Sequence, residues 1–183
     1  MLNALQIEQA VAAFVTFFVL IDAPGVAPIF ASLTAPGGSA YARKMAIKSV
    51  FVAGLILFFF AFAGAWLLGA LGISLDAFRV AGGVLLFLIA LEMVFEKRTK
   101  RREERVAKIN ETPEIEDVSI FPMAMPMIAG PGSIASVMLL MSRTEGWGEA
   151  AVVMGAMALI LLLTLAALLA AGPLMRLVSQ SVE

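Results

Sequence analysis

The chain has 183 residues, 61% of them hydrophobic and only 15% charged, with a mean hydropathy of +0.97 and a net charge of −1. Soluble chains average about 45–50% apolar residues, so this much apolar surface calls for lipid as the solvent, and the near-zero charge argues against a nucleic-acid partner. The absence of Cys excludes disulfides, thiol nucleophiles and thiolate metal sites, and the absence of His removes the commonest metal ligand and general base. No metal, cofactor or catalytic residue is expected, and the chain is not read as an enzyme.

An apolar helix needs about 20 residues to cross roughly 30 Å of hydrocarbon, and five stretches reach that length. Residues 1–10 carry Glu8 and no basic residue, unlike a cleavable signal, so the first apolar run, about 7–33, is read as a retained span. It is interrupted by Pro24, Gly25 and Pro28. The second, about 46–71, is unbroken, and Ala61, Ala65 and Gly69 form a small-residue row suited to close helix packing. The third covers about 75–95, where Ser74 and Asp76 have the placement of an N-cap and a first-turn acid. A polar connector, 96–119, starts basic and ends acidic. The fourth stretch, about 120–141, is interrupted by Pro122, Pro126, Gly130, Pro131 and Gly132, and the fifth covers about 150–169. Together they predict a single all-α transmembrane domain, a polytopic helical bundle.

Basic residues orient it. Arg43, Lys44 and Lys48 lie between spans one and two, seven more lie between spans three and four, and Arg176 follows span five. That places 11 of the 13 Lys and Arg residues on one side, leaving Arg79 and Arg143 on the other. Because cytoplasmic loops hold the excess, the N-terminus is expected outside and the connector inside the cell.

Spans one and four carry the functional signal. Proline lacks an N–H and clashes with the preceding turn, while glycine permits dihedrals that other residues avoid. Ala23-Pro24-Gly25 and Gly130-Pro131-Gly132 should therefore unwind their helices locally. Unwound backbone at membrane depth is tolerated where it is buried in protein or lines a polar cavity. The two spans are three apart, so they cross in opposite directions, which predicts an inverted repeat with a binding site at the breaks.

Single residues are weighed beside this. Asp22 has two readings, a proton or cation site at the break and an N-cap for the half-helix that follows. Glu92 sits near the end of span three, where it suits snorkelling toward Lys97 or Arg98. Met123, Met125 and Met127 alternate before the second break; without Cys or His in support they read as flexible apolar filler. Ser133 and Ser136 follow that break, and their hydroxyls suit either a substrate or the helix backbone.

These residues resemble the MarC family of bacterial membrane proteins, which includes the SnatA small neutral amino acid transporters. Asp22, Gly25, Pro28 and Phe30 match the family's first-span motif, although Ala23 stands where the first proline is usual, with Pro24 beside it. Gly72, Ile73, Ser74, Ala77, Phe78, Arg79, Ala81, Gly82 and Gly83 match the third, and Phe121, Pro122, Pro126, Ala129, Gly130, Pro131 and Gly132 the fourth. The family pattern has six spans, three plus three, and this chain stops shortly after the fifth.

The resemblance implies a secondary transporter of small neutral amino acids such as alanine or glycine, coupled to H+ or Na+, in the bacterial inner membrane. Breaks and resemblance together nominate Asp22, Ala23, Pro24, Gly25, Pro28, Ala129, Gly130, Pro131, Gly132 and Ser133 as substrate-binding. Arg79 and Pro126 are nominated as gating or structural. The alternative is a membrane protein without transport of its own, a partner or structural subunit. The expected partners are the lipid bilayer and the solute with its ion, and packing through small residues suits a homo-oligomer.

Overall fold

The computed structural model describes residues 4–95, 100 and 117–180, with side chains described for 6–95, 100 and 117–172. Among the described residues there are only helices and short turns. The chain runs through α1 (Ala4–Ile21), α2 (Ala23–Thr34), a single 3-10 turn (Ala35–Gly37), α3 (Gly38–Ala70) and α4 (Leu75–Val94). It resumes with α5 (Ser119–Ile128), α6 (Pro131–Met141) and α7 (Trp147–Gln180). The charged connector predicted over 96–119 lies outside the described residues, except for Lys100 and its last three positions.

Three helical stretches are long and apolar enough to cross a membrane: Gln6–Ala70, Leu75–Val94 and Trp147–Gly172. The pair α5–α6, bent by 52°, makes a fourth if it is one span. A straight helix over the 65 residues of Gln6–Ala70 would be about 98 Å long, some three times the hydrocarbon thickness. It does not stay one rod. Both α1–α2 and α3 pack against α7, with the turn at Ala35–Gly37 and Gly38 at φ 73° between them.

Helix α3 shows how one sequence serves two apolar surroundings. Ala46, Ala53, Leu57, Ala61, Gly64 and Leu68 recur at helical spacing and are buried against α5, α6 and α7. Phe51, Leu55, Phe59, Phe62 and Trp66 recur at the same spacing on an exposed face. Water would penalise that second stripe, and hydrocarbon does not. The buried small-residue row differs from the predicted one: Ala65 and Gly69 are exposed, because the 3.6-residue period carries the packed face from Ala61 to Gly64. A Cβ on Gly64 would lie 2.8 Å from the Met138 side chain, so the missing methyl is what lets α6 approach.

The core joins Phe17 and Ile21 of α1, Phe30 of α2, Leu57 of α3, Met123 and Ile128 of α5, and Met157 and Ile160 of α7. In lipid the apolar effect gives little net drive for helices to associate, so tight packing carries the fold. Met123 and Met127 belong to this core, as the filler reading expects, whereas Met125 faces outward. Helix α4 is the contrast. Gly82 is its only buried residue among those described, and its main packing partner is α6.

Two halves have a common outline. The twelve-residue α2 precedes the 33-residue α3, and the eleven-residue α6 precedes the 34-residue α7. Each short helix begins with proline at its first or second position, directly after a break.

Candidate functional site at the two helix breaks

At the first break Asp22 leaves the helix with φ 54° and ψ 56°, a left-handed conformation that costs most residues roughly 1–2 kcal/mol and is adopted mainly by Gly, Asn and Asp. Its own N–H still donates to the Phe18 carbonyl at 3.0 Å, and its carbonyl accepts from the Val26 N–H at 3.0 Å. The carboxylate turns back onto the new helix, and Oδ1 accepts from the Gly25 N–H at 3.1 Å. The N-cap reading of Asp22 is therefore realised. Gly25 makes it feasible, since a Cβ there would sit 2.4 Å from Asp22 Oδ2. Downstream, Pro28 has no N–H to offer the Pro24 carbonyl.

The second break is built differently. The sequence marks interruptions at Pro122, Pro126 and Gly130-Pro131-Gly132, and the irregular backbone begins at the first of them. Helix α5 makes wide turns, with Met123 N–H to Val118 carbonyl at 3.3 Å and Ala129 N–H to Ala124 carbonyl at 2.8 Å. Phe121 and Met125, each preceding a proline, are extended within it, and both Phe121-Pro122 and Met125-Pro126 are cis. A residue before proline is pushed away from helical dihedrals, which is why the disruption follows Pro122 and Pro126. Gly130 then caps α6 in an extended conformation, φ −78° and ψ 170°, and no side chain bonds to the helix start. A Cβ on Gly130 would lie 2.5 Å from the Pro126 carbonyl oxygen, so the approach of these two segments requires glycine.

The second break packs on α1 and α4. A Cβ on Gly132 would meet Leu20 of α1 at 3.4 Å and Ile89 of α4 at 2.6 Å. Leu20 stands two residues before Asp22. Leu20 and Ile89 also line a cleft of about 420 Å³ between α1 and α4, with Val15, Thr16, Leu86 and Met93. The start of α6 thus packs against α1 two residues before the first break, beside an apolar cleft. Sequence reasoning did not find Leu20, Leu86 or Ile89, since an apolar residue in an apolar span carries no distinguishing signal.

Arg79 lies elsewhere. It sits at the start of α4, where Ser74 caps the helix by accepting from the Ala77 N–H at 3.2 Å. Its guanidinium donates to Asp76 at 3.2 Å and to the Ser142 carbonyl, just beyond α6, at 3.1 Å. A cation at a helix C-terminus meets carbonyls left without intrahelical partners. Arg79 therefore ties α4 to the far end of α6 rather than to the break.

A polar cluster marks the end of α3 that carries the basic residues. Lys48 pairs with Asp117, which also accepts from the Ser119 N–H at 3.0 Å and from the Ser119 hydroxyl. These partners, Lys48 first, hold the Asp117 carboxyl down at about 2. Nearby, burial pushes the Tyr41 phenol up.

Apolar helices with both a packed and an exposed apolar face, broken at glycines and prolines, define an integral membrane protein of the helical-bundle class. Residues 7–182 match the MarC family integral membrane protein, and the chain belongs to that family. It is 37% identical over 174 residues to a UPF0056 membrane protein of Methanocaldococcus jannaschii, covering 91% of this chain and 80% of that protein. It is 36% identical over 155 residues to the UPF0056 membrane protein YvbG of Bacillus subtilis, covering 82% and 72%. With the UPF0056 membrane protein YhcE of Escherichia coli the identity is 33% over 130 residues, covering 71% of this chain and 60% of the relative. Several further UPF0056 membrane proteins are likewise matched over only about three fifths of their length. No solved structure matches significantly.

Proposed function

We propose that this chain is, or forms the greater part of, a secondary transporter for small neutral amino acids, driven by a proton or sodium gradient. One observation carries the reading: two interrupted helices present short half-helices, α2 and α6, and Gly132 at the start of α6 packs against Leu20 of α1, two residues before the first break. Half-helix N-termini offer N–H groups and a positive dipole end to a carboxylate, and unwound segments offer carbonyls to a cation. The residues Asp22, Ala23, Pro24, Gly25, Pro28, Ala129, Gly130, Pro131, Gly132 and Ser133 form this surface. In the same reading the halves form an inverted repeat, the N-terminus faces outward, and the basic connector lies in the cytoplasm of a cell whose inner membrane holds the protein. Arg79 and Pro126 support the moving parts.

The test is uptake of labelled alanine and glycine into proteoliposomes containing the full chain, with proton and sodium gradients imposed. Gradient-driven uptake is expected for the native chain. Replacing Asp22 with Asn, which tolerates the left-handed backbone and still offers an oxygen to Gly25, should preserve the fold but weaken the response to the gradient. Native coupling in Asp22→Asn would remove Asp22 from the mechanism, and absence of uptake by folded native chain would sink the transporter reading.

A further inference from the structure

The chain repeats itself at a fixed step, and one face of the repeat is left bare. A step of 107 residues takes Ile21, the end of α1, to Ile128, the end of α5, and takes Pro24 and Gly25 to Pro131 and Gly132. The same step takes the buried residues Ala46, Val50, Ala53, Leu57, Ala61 and Gly64 of α3 to Val153, Met157, Ile160, Thr164, Leu168 and Ala171 of α7, which are buried too. Packing partners follow the step. Helices α1 and α2 lie on α7 as α5 and α6 lie on α3, and α2 touches α3 as α6 touches α7. The contact of α1 with α6 is not matched to the same degree by α5 and α2.

The two short helices differ on one side. On α6, Gly132 and Ala135 are buried and Leu139 is half-buried. Helix α4 lies over both ends of this stripe: a Cβ on Gly132 would meet Ile89 at 2.6 Å, and one on Gly82 would meet Leu139 at 2.9 Å. The late residue of α4 thus meets the early residue of α6 and the early one meets the late, so the two helices are antiparallel. At the equivalent positions of α2, Gly25 is only half-buried, and Pro28 and Ser32 are exposed. Steps of three and four put these residues on one face. The other side of α2 shows no such loss, since Val26, Ile29 and Phe30 are buried like Ser133, Ser136 and Val137 of α6.

We infer that the stripe of Gly25, Pro28 and Ser32 is the docking face for one further apolar helix, the counterpart of α4, running antiparallel to α2. The step carries Leu75–Val94 to positions 182–201, past the 183 residues of this chain. The relative from Methanocaldococcus jannaschii has room for such a helix: the match makes up 80% of that protein and leaves roughly 40 residues outside it, twice the length of α4. The occupant is therefore a helix that follows α7 in the same polypeptide, as α4 follows α3. Gly25 and Ser32 are small, which suits the close approach of helices in lipid. Docking on this face is independent of any transported solute.

The chain has no Cys, so single cysteines report on what covers them. Ser32→Cys marks the stripe, and Phe59→Cys on the exposed face of α3 is the control. Each is placed in the 183-residue chain and in the same chain extended beyond Glu183 by a second copy of residues 71–95. In proteoliposomes, a membrane-soluble maleimide is expected to label both positions alike in the 183-residue chain. In the extended chain, labelling of Ser32→Cys should slow about tenfold or more, because a covered thiol is inert, while Phe59→Cys keeps its rate. With cysteine also in place of Gly82 in the added copy, a disulfide to Ser32→Cys should form, since Gly82 of α4 meets Leu139 at the equivalent place on α6. A synthetic peptide of residues 74–95, reconstituted with the unextended Ser32→Cys chain, should protect the same position and covers the case of an extension that inserts wrongly. Undiminished labelling of Ser32→Cys with both the extension and the peptide overturns the docking face. Equal slowing at Phe59→Cys also overturns it. Protection already present in the 183-residue chain, with Ser32→Cys forming a crosslinked dimer, gives the stripe to a second copy and overturns the helix that follows α7.

Discussion

The two breaks begin the same kind of short helix and solve its start in opposite ways. At α2 the chain supplies its own anion: Asp22 adopts a left-handed backbone so that its carboxylate can accept from Gly25. At α6 the chain supplies none. Gly130 is held under the Pro126 carbonyl, the first turn is uncapped, and Ser136 beneath it is unpaired. One start is satisfied within the fold, at the expense of backbone strain at Asp22. The other is left electrostatically open, in a bundle where unpaired donors are costly. A pair of breaks that merely kinked helices would have no reason to differ in this way. The first start is capped by the chain's own carboxylate, and the second has no cap from its N-cap residue.

The comparison is broken most forcefully at Gly130. Its missing side chain lets backbone pass against backbone, and a carbonyl cannot swing aside as a side-chain tip can. Gly130→Ala is expected to destabilise the chain by about 3 kcal/mol, the upper part of the overpacking range, seen as a large drop in Tm in detergent. An unchanged Tm would mean that the close approach to Pro126 is not needed. The first break should yield less. Asp22→Ala loses the cap, worth about 1–2 kcal/mol, and places a less tolerant residue in the left-handed region. Asp22→Asn should recover most of that loss. If Ala and Asn were equally stable at this position, the capping account of Asp22 would fail, and its charge alone would have to explain its presence.

Much of this arrangement was legible in the residues, and the illegible part has physical causes. Helical periodicity with too many apolar residues for water gave the membrane class. Pro-Gly pairs gave both breaks, because no other residues alter backbone freedom so strongly. Ser74 and Asp76 marked the start of α4 as caps should. The sequence named Pro122 and Pro126 as interruptions of the fourth span, but not that Phe121 and Met125 before them turn extended and widen the turns of α5. Nor did it reveal the true small-residue row of α3, where a fixed step of four missed the drift of the helical period. The two readings of Asp22 could not be separated on paper, because capping depends on which way one carboxylate points. Ser136 was ambiguous for the same reason: whether a hydroxyl bonds to its own helix is decided by rotamer and neighbours.

The smallest effect concerns how the first half is fastened to the start of the second. Lys48 of α3 pairs with Asp117, two residues before α5, so this contact joins the long helix after the first break to the irregular segment before the other. Both side chains are substantially exposed, 40% and 45%, so screening keeps the pair below about 1 kcal/mol. Its pH dependence still has a definite sign. The Asp117 carboxyl is lowered from its ordinary 3.8 to about 2 by Lys48 and Ser119. A carboxylate depressed on folding adds stability that is fully present above its unfolded value and is lost as the pH falls through the folded one. Asp117→Asn should therefore lower the Tm slightly at neutral pH, and the gap from native protein should close between about pH 4 and pH 2. Lys48→Met should narrow that gap at neutral pH as well. A gap that persists unchanged in the Lys48→Met background would assign the fastening to Ser119 instead, and the two halves would then be held by packing of α5 on α3 rather than by charge.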